Sequence, residues 1–223
     1  MCRMFAYVGS SQEDLLRLFE SLKKAAKEDK TWPGPGSKQH SDGWGCVIFH
    51  EGGLFHYRSK NPVFDDSSFS LPAIKGTAYA IFHARKASTG TPTGSSIFSH
   101  PFVAATNKAT IFMSHNGGIK DNHPDRVDSE LALERIAETG SLEAARDYLE
   151  RITNSALNLF VLTIDRASKT AKLEYLNYWK PDRSDTYYQL YFKKLDGGKA
   201  VFSSTLSGDL GGEKCERGTV LKL

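Results

Sequence analysis

Cys2 stands directly behind the initiator Met1. If Met1 is removed, one residue carries both a thiol and a free α-amino group. A thiol is a nucleophile only as its thiolate, and with an ordinary pKa of about 8.5 it is a few per cent ionised at neutral pH. The α-amino group titrates near ~8, close enough to accept and return a proton within one cycle. Nucleophile and base would then come from a single residue. Met on its own, a second-position Cys is more simply an accident of sequence, so the rest of the chain decides.

Three further segments carry groups suited to the same chemistry. His83-Ala84-Arg85-Lys86-Ala87-Ser88-Thr89-Gly90 straddles a strand end and the start of a long loop. The planar guanidinium of Arg85 can fork onto a carboxylate with two parallel hydrogen bonds, and Ser88 adds a hydroxyl. The plainer alternative is a surface Arg before a polar turn, with His83 a packed strand histidine. Ser114-His115-Asn116-Gly117-Gly118 follows a strand-like run. Asn-Gly ordinarily marks a hairpin turn, but residues 119–126 do not read as a returning strand. The alternative is an oxyanion site made by the Asn116 side-chain amide and the Gly117 N–H. One such donor contributes roughly 3–4 kcal/mol to a transition state. Asp128-Ser129-Glu130 opens a helical run, where Asp128 reads either as an N-cap or as a partner for a substrate ammonium.

The elements that must hold these groups are legible in outline. Residues 3–8 read as a strand, so Cys2 falls at a strand's start. Leu15, Leu18, Phe19, Leu22, Ala25 and Ala26 repeat with a helical period over 12–27. Two strands, 44–50 and 54–59, flank Glu51-Gly52-Gly53 as a hairpin, and the turn His40–Gly45 feeds the first of them, with Trp44 expected in the core. Strand-like runs recur at 76–83 and 109–114, separated by a Ser/Thr/Gly/Pro-rich stretch, 86–100, long enough to suggest function. Helices are expected at 129–139 and 141–152, then strands at 157–165, 171–178, 186–193, 199–204 and 218–222. This order predicts a single α+β domain over residues 1–223, with helices outside two sheets.

Bulk properties narrow the function. The 223 residues carry a net charge of +3, too slight to imply a nucleic-acid partner. The most apolar stretch, 156–164, is far short of the ~20 residues of a membrane helix, and no signal peptide is read at the start. The three cysteines include no C-x-x-C pair, which argues against a disulfide framework and a structural zinc. A cytoplasmic protein without metal or other cofactor is expected. Cys46 reads as a small buried hydrophobe, and Cys215 has no evident partner.

Taken in order, Cys2, His40–Gly45, His83-x-Arg85 with Ala87-Ser88-x-Gly90, Ser114–Gly118 and Asp128-Ser129-Glu130 resemble the class II glutamine amidotransferases of the N-terminal nucleophile hydrolase superfamily. These marks span residues 2–130. The stand-alone glutaminase branch is the most similar, because the chain ends about where the glutaminase domain of larger members would end. The resemblance implies a four-layered αββα sandwich with two mainly antiparallel sheets. It implies that Cys2 attacks the side-chain amide of L-glutamine with its own α-amino group as base, and that Asn116 and Gly117 form the oxyanion hole. Arg85 would hold the substrate α-carboxylate, Asp128 its α-ammonium, and Ser88 would line the pocket. Where several relatives have a tryptophan after the pocket arginine, this chain has Lys86. Free glutamine requires one cation, one anion, a nucleophile and oxyanion donors, and each occurs once in these segments. An ammonia-accepting synthase subunit stays open as a partner. Hydrolysis of another γ-glutamyl compound and a catalytically silent glutamine-binding domain are the competing expectations.

Overall fold

A computed structural model describes residues 2–120 and 126–223. Strand β1 (Arg3–Gly9) follows Cys2, and helix α1 (Gln12–Lys27) covers the range its period predicts. Ser11 caps α1, its Oγ accepting the Asp14 N–H at 3.1 Å. Strands β2 (Trp44–His50) and β3 (Gly53–Ser59) form the expected hairpin, with His50 paired to Gly53 across the turn. Strands β4 (Ala78–Ala84), β5 (Phe102–Ala105) and β6 (Ala109–Ile119) lead to helices α2 (Ser129–Thr139) and α3 (Leu142–Ile152). Gly140 ends α2 in the left-handed region, at φ 80°, where a side chain would be strained. The chain closes with β7 (Thr153–Asp165), β8 (Ala171–Leu176), α4 (Asp185–Tyr188), β9 (Leu190–Lys194), β10 (Gly198–Ser203), α5 (Ser204–Leu210), β11 (Glu213–Lys214) and β12 (Val220–Lys222).

One sheet has the order β11-β9-β10-β1-β4-β2-β3 and the other β12-β8-β7-β6-β5, with antiparallel pairing throughout. Strand alternation sorts the core into three apolar spaces. Phe5 and Tyr7 pack outward with Leu15, Leu18 and Leu206 of α1 and α5. Met4 and Ala6, on the opposite face of β1, meet Phe112 and Phe160 of the second sheet. Met113 and Leu159 pack with Leu133, Ile136 and Leu149 of α2 and α3. Three apolar spaces separate four layers, so the fold is the α+β, αββα sandwich. Trp44 is fully buried in the first space, as expected for a core residue.

Several elements differ from the sequence expectation, the helix α5 and the short strand β11 among them. The segment read as a strand over 186–193 begins with the short helix α4, capped by Ser184 accepting the Tyr187 N–H at 3.2 Å, and becomes strand only at Leu190. Strand β5 emerges just after the long loop. Strand β6 runs through Asn116-Gly117 to Ile119 instead of turning there, because β7 pairs with it along the whole length.

Candidate active site

Cys2 is set by the alternation of β1. Its neighbour Arg3 points to the outer layer, is fully buried, and pairs with Asp29 at 2.8 Å while its guanidinium lies 3.9 Å from the Tyr187 ring centroid. A second Arg3 nitrogen donates to the Cys2 carbonyl at 3.3 Å, so the anchor of Arg3 also fixes the Cys2 backbone. Burial alone would raise the Asp29 carboxyl, but the His40 hydrogen bond at 2.9 Å and the Arg3 charge hold it well below the carboxylate range. Burial likewise lowers His40 to about 3, so its ring is neutral at neutral pH and donates Nε2–H to Asp29. Both groups are held below their unfolded values. Their contribution to stability is therefore present above those values and is lost as pH falls.

With Arg3 outward, Cys2 faces the space between the sheets, where Asn116 meets it from β6. The Cys2 N–H donates to Asn116 Oδ1 at 2.9 Å. That bond turns the other end of the amide away, and Asn116 Nδ2 is buried with no hydrogen-bond partner among the described residues. A buried orphan donor costs free energy unless a ligand satisfies it. Gly117 follows, pressed against β7: a Cβ there would stand 1.7 Å from the Ala156 carbonyl oxygen, so only glycine fits. The β6–β7 register breaks between Gly117 and Ile119, a bulge of the kind that re-aims backbone groups beside active sites.

Arg85 arrives from the other neighbour of β1. The register pairs Arg3 with Ala84, which carries Arg85 opposite Cys2 at the strand end. Arg85 is 3% exposed, and its guanidinium donates to the Pro92 carbonyl at 2.8 Å and more loosely to the Asp42 carbonyl at 3.5 Å. A buried cation held by carbonyl dipoles rather than by a carboxylate is a prepared anion site. The Lys86 carbonyl lies 3.8 Å from Cys2 Sγ. Its side chain leaves the site: Nζ donates to the Ser37 and Gln39 carbonyls at 2.7 and 3.0 Å and lies 4.7 Å from the Trp32 ring centroid. Lys86 thus stitches the loop after Arg85 to the 32–39 loop. Lys86→Met removes two charge-assisted bonds at a half-exposed position and is expected to cost roughly 1–2 kcal/mol, read as a lower urea midpoint. An unchanged midpoint would contradict that role.

Ser88 is exposed in a turn closed by Thr91, whose N–H donates to the Ser88 carbonyl at 3.0 Å; no described contact joins its side chain to Cys2. Asp128 lies before α2 but does not cap it with its side chain. Instead its Oδ2 accepts the Ile119 N–H at 2.7 Å, tying it to the bulged end of β6 that follows Gly117. His115, on the face of β6 opposite Asn116, bonds Ser129 Oγ at 2.9 Å and the Ala156 carbonyl at 3.2 Å, a structural role. A cleft of about 630 Å³ beside α1 and α5, lined by Lys24, Lys27 and Thr205, does not touch Cys2. Residues 121–125 and Met1, with the question of its removal, lie outside the described residues.

The electrostatics of the thiol single out a residue that sequence reasoning left as packing. Burial raises the Cys2 thiol, but the pull of His83, joined by the charge of the N-terminus and the hydrogen bond to the Lys86 carbonyl, brings the thiol to about 6. His83 is fully buried and pairs with Met4 in the β1–β4 register, on the same sheet face as Cys2. The sequence carried a faint sign of this: His83 and Arg85 stand two apart in a strand, so they share a face.

Two antiparallel sheets between helical layers, with a cysteine opening a central strand toward the inter-sheet space, define the N-terminal nucleophile hydrolase architecture. Residues 1–165 match the family described as class-II glutamine amidotransferases, and the chain belongs to that family. Among solved structures, it is similar to the allosteric regulatory enzyme of purine biosynthesis (16% identity, TM-score 0.68). It is also similar to the glutamine phosphoribosylpyrophosphate amidotransferase of B. subtilis complexed with ADP and GMP (14% identity, TM-score 0.66). Each match covers 98% of this chain and 46% of the other, so this chain spans less than half the length of those proteins. A predicted glutamine amidotransferase from Pseudomonas aeruginosa PA01 matches at 15% identity and a TM-score of 0.50, covering 99% of this chain and 92% of that one. A search of curated proteins returned no match. Among the described residues, no helix is long and apolar enough to cross a membrane.

Proposed function

We propose that this protein hydrolyses the side-chain amide of L-glutamine to glutamate and ammonia through a thioester on Cys2. The observation that carries the proposal is the Asn116 amide, whose oxygen is engaged by the Cys2 N–H while its nitrogen is buried and unpartnered. A donor so placed beside a thiol suits an oxyanion, not a stable ground-state contact. In this reading Cys2 Sγ attacks the amide carbon, and Asn116 Nδ2 with the Gly117 N–H receives the developing oxyanion. Expulsion of ammonia leaves a thioester, which water then hydrolyses. The Cys2 α-amino group, freed when Met1 is removed, accepts and returns protons during turnover.

The rest of the site fits the two charges on the α-carbon of glutamine. Arg85 takes the α-carboxylate, which replaces the Pro92 carbonyl as its partner, so the loop after Arg85 shifts when substrate binds. Asp128 takes the α-ammonium with the oxygen not held by Ile119, and Ser88 closes over the substrate with that loop. The ammonia is released or passed to a synthase subunit.

Purified protein is expected to release ammonia and glutamate from L-glutamine in equal amounts, and to process D-glutamine poorly. No ammonia from L-glutamine, with turnover of N-substituted γ-glutamyl amides instead, would move the assignment to a different amide. Intact mass on the same preparation reports Met1, and activity should follow the fraction that lacks it.

A further inference from the structure

We propose that Arg3 is a positioning residue for the reaction: one guanidinium nitrogen holds the Cys2 carbonyl while the other is anchored on Asp29, so a buried ion pair behind β1 aims the nucleophile. This deepens the reading above and rests on Cys2 being the nucleophile. Once Met1 is removed, Cys2 is joined to the fold by a single peptide bond, and rotation about its own backbone swings Sγ and the amino group together. Its nitrogen is held by Asn116 Oδ1 at 2.9 Å. Its carbonyl has no strand to pair with on the β10 side. The β1–β10 ladder ends at Phe5 and Phe202, and the Met4 N–H on that side turns to Ser203 Oγ, at 3.1 Å, as the chain enters α5. Alternation puts the Cys2 carbonyl on the same side as the Met4 N–H. Arg3 Nη1 takes the place of the missing strand and donates to that carbonyl at 3.3 Å.

The guanidinium is itself firmly held. Nη2 donates to Asp29 Oδ2 and to Thr31 Oγ1, each at 2.8 Å, and the Tyr187 ring centroid lies 3.9 Å from its carbon. Asp29 is fixed in turn. Its Oδ2 accepts from His40 Nε2 at 2.9 Å, and its Oδ1 accepts the Thr31 N–H at 3.0 Å and the Thr205 hydroxyl from α5. Arg3, Asp29 and His40 are all fully buried. The cluster thereby ties the loop after α1, the turn before β2, α4 and α5 to one peptide group, that of Cys2.

Stability alone does not call for such a pair. Taking two charges out of water is costly, and well-packed apolar replacements of buried ion pairs are often neutral or stabilising. What the planar fork adds is two donors at a fixed separation. A lysine offers a single nitrogen, and an apolar residue none. The substrate contacts proposed at Arg85 and Asp128 lie on other elements, so a loss at Arg3 acts on the aim of the thiol and not on binding. A reacting group misplaced by ~1 Å slows a reaction by about 100-fold.

The test compares the wild type with Arg3→Lys and with the double variant Arg3→Met, Asp29→Asn, kcat being taken per Met1-free chain from intact mass. Arg3→Lys keeps a cation for Asp29 but cannot serve Asp29 and Cys2 from separate nitrogens. The double variant removes both charges, so neither is left buried and unpaired. Both are expected to fold, and kcat for L-glutamine should fall by about 10-fold or more with KM within ~2-fold of the wild type. A merely structural role would lower the melting temperature and leave kcat of the folded protein unchanged. A carbonyl signal reads the contact itself. In protein labelled with carbon-13 at the cysteine carbonyls, the Cys2 signal, identified by its loss in Cys2→Ala, should move upfield in both variants while those of Cys46 and Cys215 stay. Wild-type kcat in either folded variant overturns the proposal, and so does a Cys2 signal that stays in place. If neither variant folds, the pair serves the fold alone and the proposal falls. If the wild type hydrolyses no glutamine, the glutamine reading fails by itself, and the same variants are read on the γ-glutamyl amide that the protein does turn over.

Discussion

Cys2→Ala is expected to hydrolyse no measurable glutamine and to melt close to the wild type. The thiol lies just before β1, at 8% exposure, and its loss removes one sulfur from a position outside the three apolar clusters. A truncation that small costs about 1 kcal/mol. No other thiol can take over. Cys46 is fully buried in β2 among the outer-layer apolar side chains, and Cys215 is buried among the inter-sheet residues. Both thiols are raised by burial and stay protonated at neutral pH, whereas that of Cys2 is lowered. Loss of activity with an unchanged melting temperature is the expected pair of readings from a glutaminase assay and a thermal melt. Near-normal turnover would contradict it.

Asn116→Ala should lower kcat by about 100-fold or more and change KM little, because its donor matters once the oxyanion forms. Asn116 also accepts from the Cys2 N–H, so Ala removes two roles together. Asn116→Asp separates them: an oxygen still faces the Cys2 nitrogen, while the donor becomes a negative charge beside the oxyanion, and kcat should fall at least as far. Arg85→Ala supplies the contrast. In its proposed role its partner, the substrate α-carboxylate, has the same charge in ground and transition states, so the effect should fall mainly on KM. Steady-state kinetics on the three variants decide the matter. Equal effects on KM alone in Asn116→Ala and Arg85→Ala would overturn both roles.

Much of this architecture is legible in the sequence where a local signal and the tertiary packing agree. Helix α1 has its apolar period, and the β2–β3 hairpin has its Glu51-Gly52-Gly53 turn, so both stand where they are expected. The failures occur where packing overrides the local signal. Asn116-Gly117 has the composition of a hairpin turn, yet Asn116 pairs with Asn158 and Gly117 with Leu157 along β7, and that ladder carries the strand to Ile119. Helix α4 is four residues long, too short for a period to show. At the site, the types of Cys2, Asn116, Gly117 and Arg85 suffice to propose chemistry. His83 could not be singled out so, because its orientation depends on a carbonyl 32 residues away on the other sheet. Arg3 and Asp29 are equally silent in sequence: each is an ordinary charged residue until the fold buries them together.

The most direct measurement is covalent capture of the nucleophile. An electrophilic chloroketone or diazoketone analogue of glutamine is incubated with the native protein, residual glutaminase activity is followed, and the modified peptide is identified by mass. One adduct per chain on Cys2 is predicted, formed in step with the loss of activity and prevented by excess glutamine. Complete inactivation with Cys2 unmodified, or an adduct confined to Cys46 or Cys215, would contradict it.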